Sequence, residues 1–124
     1  MPRAASVCRP KIRRLKKRAD FLRVAARKSK WVTPGLILQV APGEPDGLRV
    51  GFTTSKKVGG AVERNRARRR LRAAVAEVFP PMAAAGSDYV VIGRRETVGR
   101  SYSLLLQDLR TALKRLGAIT REDP

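Results

Sequence analysis

The sequence predicts an α/β (α+β) two-layer sandwich, a central and mostly antiparallel sheet of about four strands carrying three helices. Three observations predict it. Apolar residues recur at helical spacing in three segments and at strand spacing in the stretches between them. Turn-forming Pro and Gly residues punctuate the chain between those segments. The order helix, strands, helix, strand, helix shows no internal repeat and leaves each helix an apolar face to set on the sheet. At 124 residues the chain has the size of a single domain with one modest core.

Taken in order, residues 1–14 mix Pro2, Pro10, Arg and Lys without periodicity and read as a basic, flexible arm. From Leu15 to Lys28, Phe21, Val24, Ala25 and Lys28 recur at helical spacing, which predicts a short amphipathic helix with Arg18, Arg23 and Arg27 outward. Pro34-Gly35 then breaks it. Trp31, just before the first strand, is expected to pack against that helix, with stacking on a nucleotide as the alternative. Leu36 to Ala41 is an apolar run, and Leu48 to Ser55 sets Leu48, Val50 and Phe52 in alternation with Arg49, Gly51 and Thr53. The turn chemistry of residues 42–47 between these two runs predicts an antiparallel hairpin.

A second helix is expected from about Val62 to Phe79, stopped by Pro80-Pro81. Ala67, Leu71, Ala74, Val75 and Val78 form its buried stripe. At roughly 100° per residue, Asn65, Arg66, Arg69, Arg70 and Arg72 fall on the opposite half, Arg68 at the border and Arg64 near the core side. Asp88 to Arg94, with Tyr89-Val90-Val91-Ile92 consecutive, reads as a buried strand after the Gly86 turn. Ser101 or Ser103 can cap a last helix whose Tyr102, Leu105, Leu106, Leu109, Ala112, Leu113 and Leu116 line one face, with Gly117 as its stop and 118–124 as a tail.

The charge is lopsided: 28 Lys and Arg face 10 Asp and Glu, a formal +18. Residues 3–30 carry twelve basic side chains against Asp20, and residues 56–72 carry eight against Glu63, so these two stretches hold the whole excess. Self-repulsion of this size opposes folding, and a polyanion with its released counterions more than offsets it. Within 55–72 the missing acids rule out helix-surface ion pairs as the purpose of the arginines. Gly59-Gly60 would let backbone N–H groups approach a phosphate ahead of a helix N-terminus or serve as plain loop. Asn65 could read a sugar or base edge, or be an ordinary surface residue.

Other chemistries are excluded by what is missing. Histidine is absent, which removes histidine acid–base catalysis, histidine metal ligands and the Ser-His triad. The ten carboxylates are scattered with no pair spaced as a metal clamp, so neither a catalytic residue nor a protein-borne metal site is expected. Cys8 is the one cysteine, which forbids an internal disulfide and suits a reducing, cytoplasmic setting. No run of about 18 apolar residues spans a bilayer, and no secretory h-region follows the first charges.

Ser55-Lys56-Lys57, Gly59, Ala61-Val62, Arg64-Asn65-Arg66, Arg68-Arg69 and Arg72 together resemble the signature of the bacterial ribonuclease P protein family. Leu15-Lys16-Lys17 with Asp20-Phe21, Arg49-Val50-Gly51-Phe52, and Asp88-Tyr89-Val90-Val91-Ile92 to Arg94 agree in order and spacing, so the resemblance spans about residues 15–117. It implies a left-handed β-α-β crossover into the basic helix, against the usual right-handed rule. It also implies a ribonucleoprotein whose RNA subunit is the catalyst and holds the magnesium ions (Mg2+), with none bound by the protein alone. The protein, a monomer with one copy per RNA, would contact that RNA and hold the 5′ leader of precursor tRNA between the first helix and the sheet.

Carried over, Arg64, Asn65, Arg66, Arg68, Arg69 and Arg72 fall on the RNA-contacting motif, with Lys56 and Lys57 on its flank. Lys16, Lys17, Phe21 and Ser55 fall on the leader cleft, where Phe21 would stack on an unpaired nucleotide or else simply fill core. The chain departs from the family pattern at Ala25, often a second aromatic, and at Arg68, often Lys. Two rivals share the basic helix: a ribosomal-type protein binding folded RNA without assisting a reaction, and a DNA-binding module, which lacks here the helix-turn-helix pair or zipper such modules use.

Overall fold

A computed structural model describes residues 12–27, 29–43, 47–83 and 86–116. The elements in order are β1 (Arg13–Arg14), α1 (Arg18–Ala26), β2 (Lys30–Val32), β3 (Leu36–Pro42), β4 (Leu48–Thr53), α2 (Ala61–Met82), β5 (Ser87–Gly93), a single 3-10 turn (Arg95–Thr97) and α3 (Tyr102–Arg115). The basic stretch read as an arm therefore ends in a short strand. Its first eleven residues, Lys28, Gly117 and the tail lie outside the described residues.

The sheet has five strands in the order β1-β4-β5-β3-β2. The expectation of about four mostly antiparallel strands is corrected to a mixed sheet: β1–β4 and β4–β5 are parallel, β3–β5 and β2–β3 antiparallel. The expected hairpin between β3 and β4 is also corrected, because β5 lies between them. Its Tyr89, Val90 and Val91 are consecutive and buried, which needs cover on both faces and neighbours on both sides, and so places β5 at the centre. The hairpin that forms is β2–β3, closed where Thr33 N–H donates to the Leu36 carbonyl at 2.8 Å.

One face of the sheet carries the main core. Leu36, Leu38, Val50, Tyr89 and Val91 meet Leu71, Ala74, Val75, Val78 and Phe79 of α2 and Leu109, Ala112 and Leu113 of α3. Each large apolar side chain fully removed from water contributes roughly 1.5–3 kcal/mol, so this layer holds the domain together. The Phe79 and Tyr89 rings meet edge to face with centroids 5.0 Å apart. The predicted α2 stripe is buried at every position. The helix runs on through Pro80 and Pro81, because proline's fixed φ suits a helix and only the last turn loses donors; Ala83 N–H still reaches the Phe79 carbonyl at 2.9 Å.

On the opposite face, α1 covers a smaller core of Leu15, Val24, Ala41 and Val90, with Phe21 and Ile92 half-buried beside it. Helices thus cover both faces of the sheet, and α1 adds a smaller third layer to the two expected. Ala25, read as part of its apolar face, is exposed, since the helix turns Val24 inward and the next residue lies about 100° further round. Two further expectations change. Trp31 meets Arg115 of α3, whose Cζ lies 5.6 Å from its ring centroid, because its pleat position beside Leu38 faces the α3 side. Arg70 is half-buried and donates to the Arg100 carbonyl, which draws it off the open face of α2.

Candidate nucleic-acid interface

The basic helix begins where the chain leaves β4. Ser55, Lys56 and Lys57 form an exposed turn, in which Ser55 Oγ accepts from the Lys57 N–H at 3.2 Å and buried Val58 anchors the loop. Gly59 sits at φ 144°, a conformation that favours glycine. The Gly60 N–H donates to Glu63 Oε1 at 3.0 Å. Glu63, the one acid in this stretch, thus satisfies the start of its own helix and offers nothing to the arginines beyond it.

Beyond that turn, Asn65, Arg66, Arg69 and Arg72 are exposed, and Arg64 and Arg68 half-exposed. Among the described residues the ion pairs join Arg23, Arg49 and Arg100 to Asp20, Asp88 and Asp108. No α2 arginine takes part. A shallow groove of about 460 Å³ runs along the helix, lined by Val62, Asn65, Arg68, Arg69 and Arg72.

The same helix forms one wall of a second concavity. A cleft of about 200 Å³ opens at the β4 edge, lined by Arg14, Leu15, Phe21, Val50, Gly51, Phe52, Arg68 and Arg72. Its floor is apolar and its rim is three guanidiniums. The Leu15 N–H donates to the Val50 carbonyl at 3.0 Å, continuing the β1 ladder by one bond before the chain turns away into α1. Phe21 lies directly on Gly51: a Cβ built there would meet its ring atoms Cε1 and Cζ at 2.5 Å. Arg68 is aimed by its Nη2, which donates to Thr54 Oγ1 at 3.0 Å.

Beneath α1 is a buried charge cluster. Asp88 is 1% exposed and accepts from Arg49 through Nε at 2.9 Å and Nη2 at 2.7 Å, and from Arg23 Nη2. Burial pushes the Asp88 carboxyl up, but the hydrogen bonds and charges of Arg49 and Arg23 outweigh burial and hold it below its ordinary value of 3.8. Asp20 of α1 adds a longer contact to each arginine, 3.7 Å to Arg49 and 3.9 Å to Arg23.

Of the residues singled out from sequence, the structure brings Phe21, Arg68 and Arg72 together in the cleft and sets Asn65 and Arg69 beside them in the groove. Lys16 and Lys17 are exposed between β1 and α1, next in the chain to Leu15 of the lining; Ser55, Lys56 and Lys57 lie outside both linings, and Arg64 and Arg66 outside the groove. Arg14 and Phe52 were missed as site residues. Phe52 had a signal, since it alternates with Gly51 on the strand beside the basic motif. Arg14 had only its place in a charge run.

Fold and site define a small α+β protein that presents an arginine-rich helix beside an aromatic-floored basic cleft, a domain shaped to hold a polyanion. A sequence model of the family described as Ribonuclease P matches residues 10–117. The chain belongs to that family, whose members are protein components of ribonuclease P. The Ribonuclease P protein component of Paramagnetospirillum magneticum is 69% identical over 113 residues, covering 87% of this chain and 85% of that one. That of Ruegeria pomeroyi is 50% identical over 123 residues, covering 95% and 98%. The solved RNase P protein from Thermotoga maritima matches with a TM-score of 0.71 at 25% identity, over 82% of this chain and 96% of that one. A Staphylococcus aureus RNase P protein mutant with defective mRNA degradation activity matches at 0.73 and 25%, over 85% and 88%.

Proposed function

We propose that this chain is the RNA-binding subunit that lets ribonuclease P grip its substrate: the α2 face binds the catalytic RNA, and the cleft holds the unpaired 5′ leader of precursor tRNA. The observation that carries this reading is that Arg68 and Arg72 line both the groove along α2 and the cleft over Phe21. One row of guanidiniums thus serves two surfaces, and RNA on the helix and a strand in the cleft would share a phosphate-binding border. Phe21 offers a ring on which a base stacks, worth about 1–3 kcal/mol per base in proteins that bind single strands. Each neutralised phosphate adds counterion release.

Cleavage of the phosphodiester is assigned to the RNA subunit. The described residues gather no group of three or more acidic, histidine or cysteine side chains, and the two most buried carboxylates, Asp88 and Asp108, are held by arginines. These residues do not fit a magnesium ion of the protein's own, so we place magnesium with the RNA. No helix among the described residues is long and apolar enough to cross a membrane, and the reading places the protein in the cytoplasm, one copy per RNA. The test is to incubate protein and precursor tRNA in magnesium with and without the RNA subunit, and to map crosslinks from the leader. Cleavage is expected only with RNA present, and crosslinks at Phe21 and its cleft neighbours. Cleavage by protein alone, or a leader that crosslinks elsewhere, overturns the assignment.

A further inference from the structure

Little of α1 itself holds it in place. Nine residues are too few for a helix to persist alone in water, its N-cap Lys17 makes no side-chain cap bond, and Val24 is its one fully buried side chain. Phe21 is half-buried and Leu22 is 56% exposed. The remaining tie is polar. Arg23 donates through Nη1 to the Pro42 carbonyl at 2.8 Å and through Nη2 to Asp88.

Asp88 stands at the meeting point. It is the cross-strand partner of Arg49 in the β4–β5 register, and it takes one guanidinium from the helix and another from the sheet. The site is closed over: a Cβ at Gly43 would come within 2.6 Å of Asp88 Oδ1. Asp20, three residues before Arg23, faces Arg49 from the helix. Two charges on one turn of α1 are therefore matched to two on adjacent strands, which fixes both the rotation of the helix and its position along the sheet.

That position decides the cleft floor. Gly51 lies two residues after Arg49, on the same face of β4 and about 6.6 Å away, and Phe21 follows Asp20 directly. A shift of α1 that breaks the Asp88 cluster carries the Phe21 ring off Gly51.

We infer that Asp88 is a positioning residue for leader binding: through Arg23 it sets the seat of α1, and so places the Phe21 ring where a leader base stacks. This rests on reading the cleft as the leader site. Simple electrostatics gives the opposite sign, since removing an acid from a polyanion-binding surface raises affinity.

The experiment uses holoenzyme reconstituted with wild-type protein, Asp88→Asn or Arg23→Gln. Affinity is measured across a salt series for precursor tRNA and for the same tRNA without its leader. The wild type is expected to prefer the leader-bearing form. Both variants should lose on the order of tenfold of that preference, the size of one base–aromatic stack, with unchanged affinity for the leaderless form and an unchanged salt slope. Arg23→Gln keeps the Arg49–Asp88 pair and gives the same readout if Asp88→Asn does not fold. Tighter binding by Asp88→Asn, or preserved preference in a folded variant, overturns the inference. So does a slope lowered by about one in Arg23→Gln, which marks direct phosphate contact by Arg23. A wild type without leader preference removes the cleft reading itself, and the inference with it.

Discussion

The ring of Phe21 rests on the α-carbon of Gly51, so close that a methyl group at Gly51 would overlap it at 2.5 Å. The strand and the helix are fitted to each other at this point, and the fit supplies the aromatic floor of the cleft. Gly51→Ala is expected to displace the ring and to cost about 1–3 kcal/mol, the usual penalty of overpacking, measured by urea unfolding. The cost should largely vanish in a Phe21→Ala background, a coupling that a double-mutant cycle reads directly.

Arg69 is exposed on α2, lines the groove and has no acidic partner among the described residues. Arg69→Ala should leave unfolding within about 0.5 kcal/mol of wild type. It should lower the slope of log affinity for RNA against log salt by about one unit. An unchanged slope would remove Arg69 from the contact surface.

Arg70, its neighbour in sequence, is expected to behave in the reverse way. Its guanidinium holds the Arg100 carbonyl, and its Nε is buried without a hydrogen-bond partner among the described residues. Arg70→Ala should cost about 1 kcal/mol of stability through the lost bond and leave the salt slope unchanged. Running the two variants side by side separates binding arginines from structural ones.

Acid should weaken the fold through Asp88. The carboxyl of Asp88 is held below its ordinary value of 3.8 by Arg49 and Arg23. A lowered folded value means stability that is complete above the ordinary carboxylate range and is lost as pH falls through the folded value. Urea midpoints taken from neutral pH downward should therefore drop below about pH 4 in the wild type and drop less in Asp88→Asn.

Periodicity made the helices legible. The α2 stripe from Ala67 to Val78 is buried as spaced, because a long helix with one apolar face states its orientation in every turn. The Arg70 exception arises because the start of α3 passes over that flank, which no local pattern announces. Strand pairing was harder to read. The turn-rich link after Pro42 suggested a hairpin, and the consecutive apolar residues of β5 were the contrary signal, since a strand buried on both faces belongs in the middle of a sheet. The Asp88 cluster was out of reach. Arg23 and Arg49 lie 65 and 39 residues from Asp88, and each alone reads as one more surface charge in a basic protein.

The place of β5 also governs how the chain is made. β3 and β4 leave the ribosome well before β5 yet pair with it rather than with each other, so a nascent chain that stops short of residue 87 has no sheet to close. Until then β2–β3 and β1–β4 can form only as separate pieces with no strand to join them, and the arginines stay open to any RNA nearby. Folding is thus postponed to the last third of synthesis, when the keystone strand arrives and both halves of the sheet settle on it together.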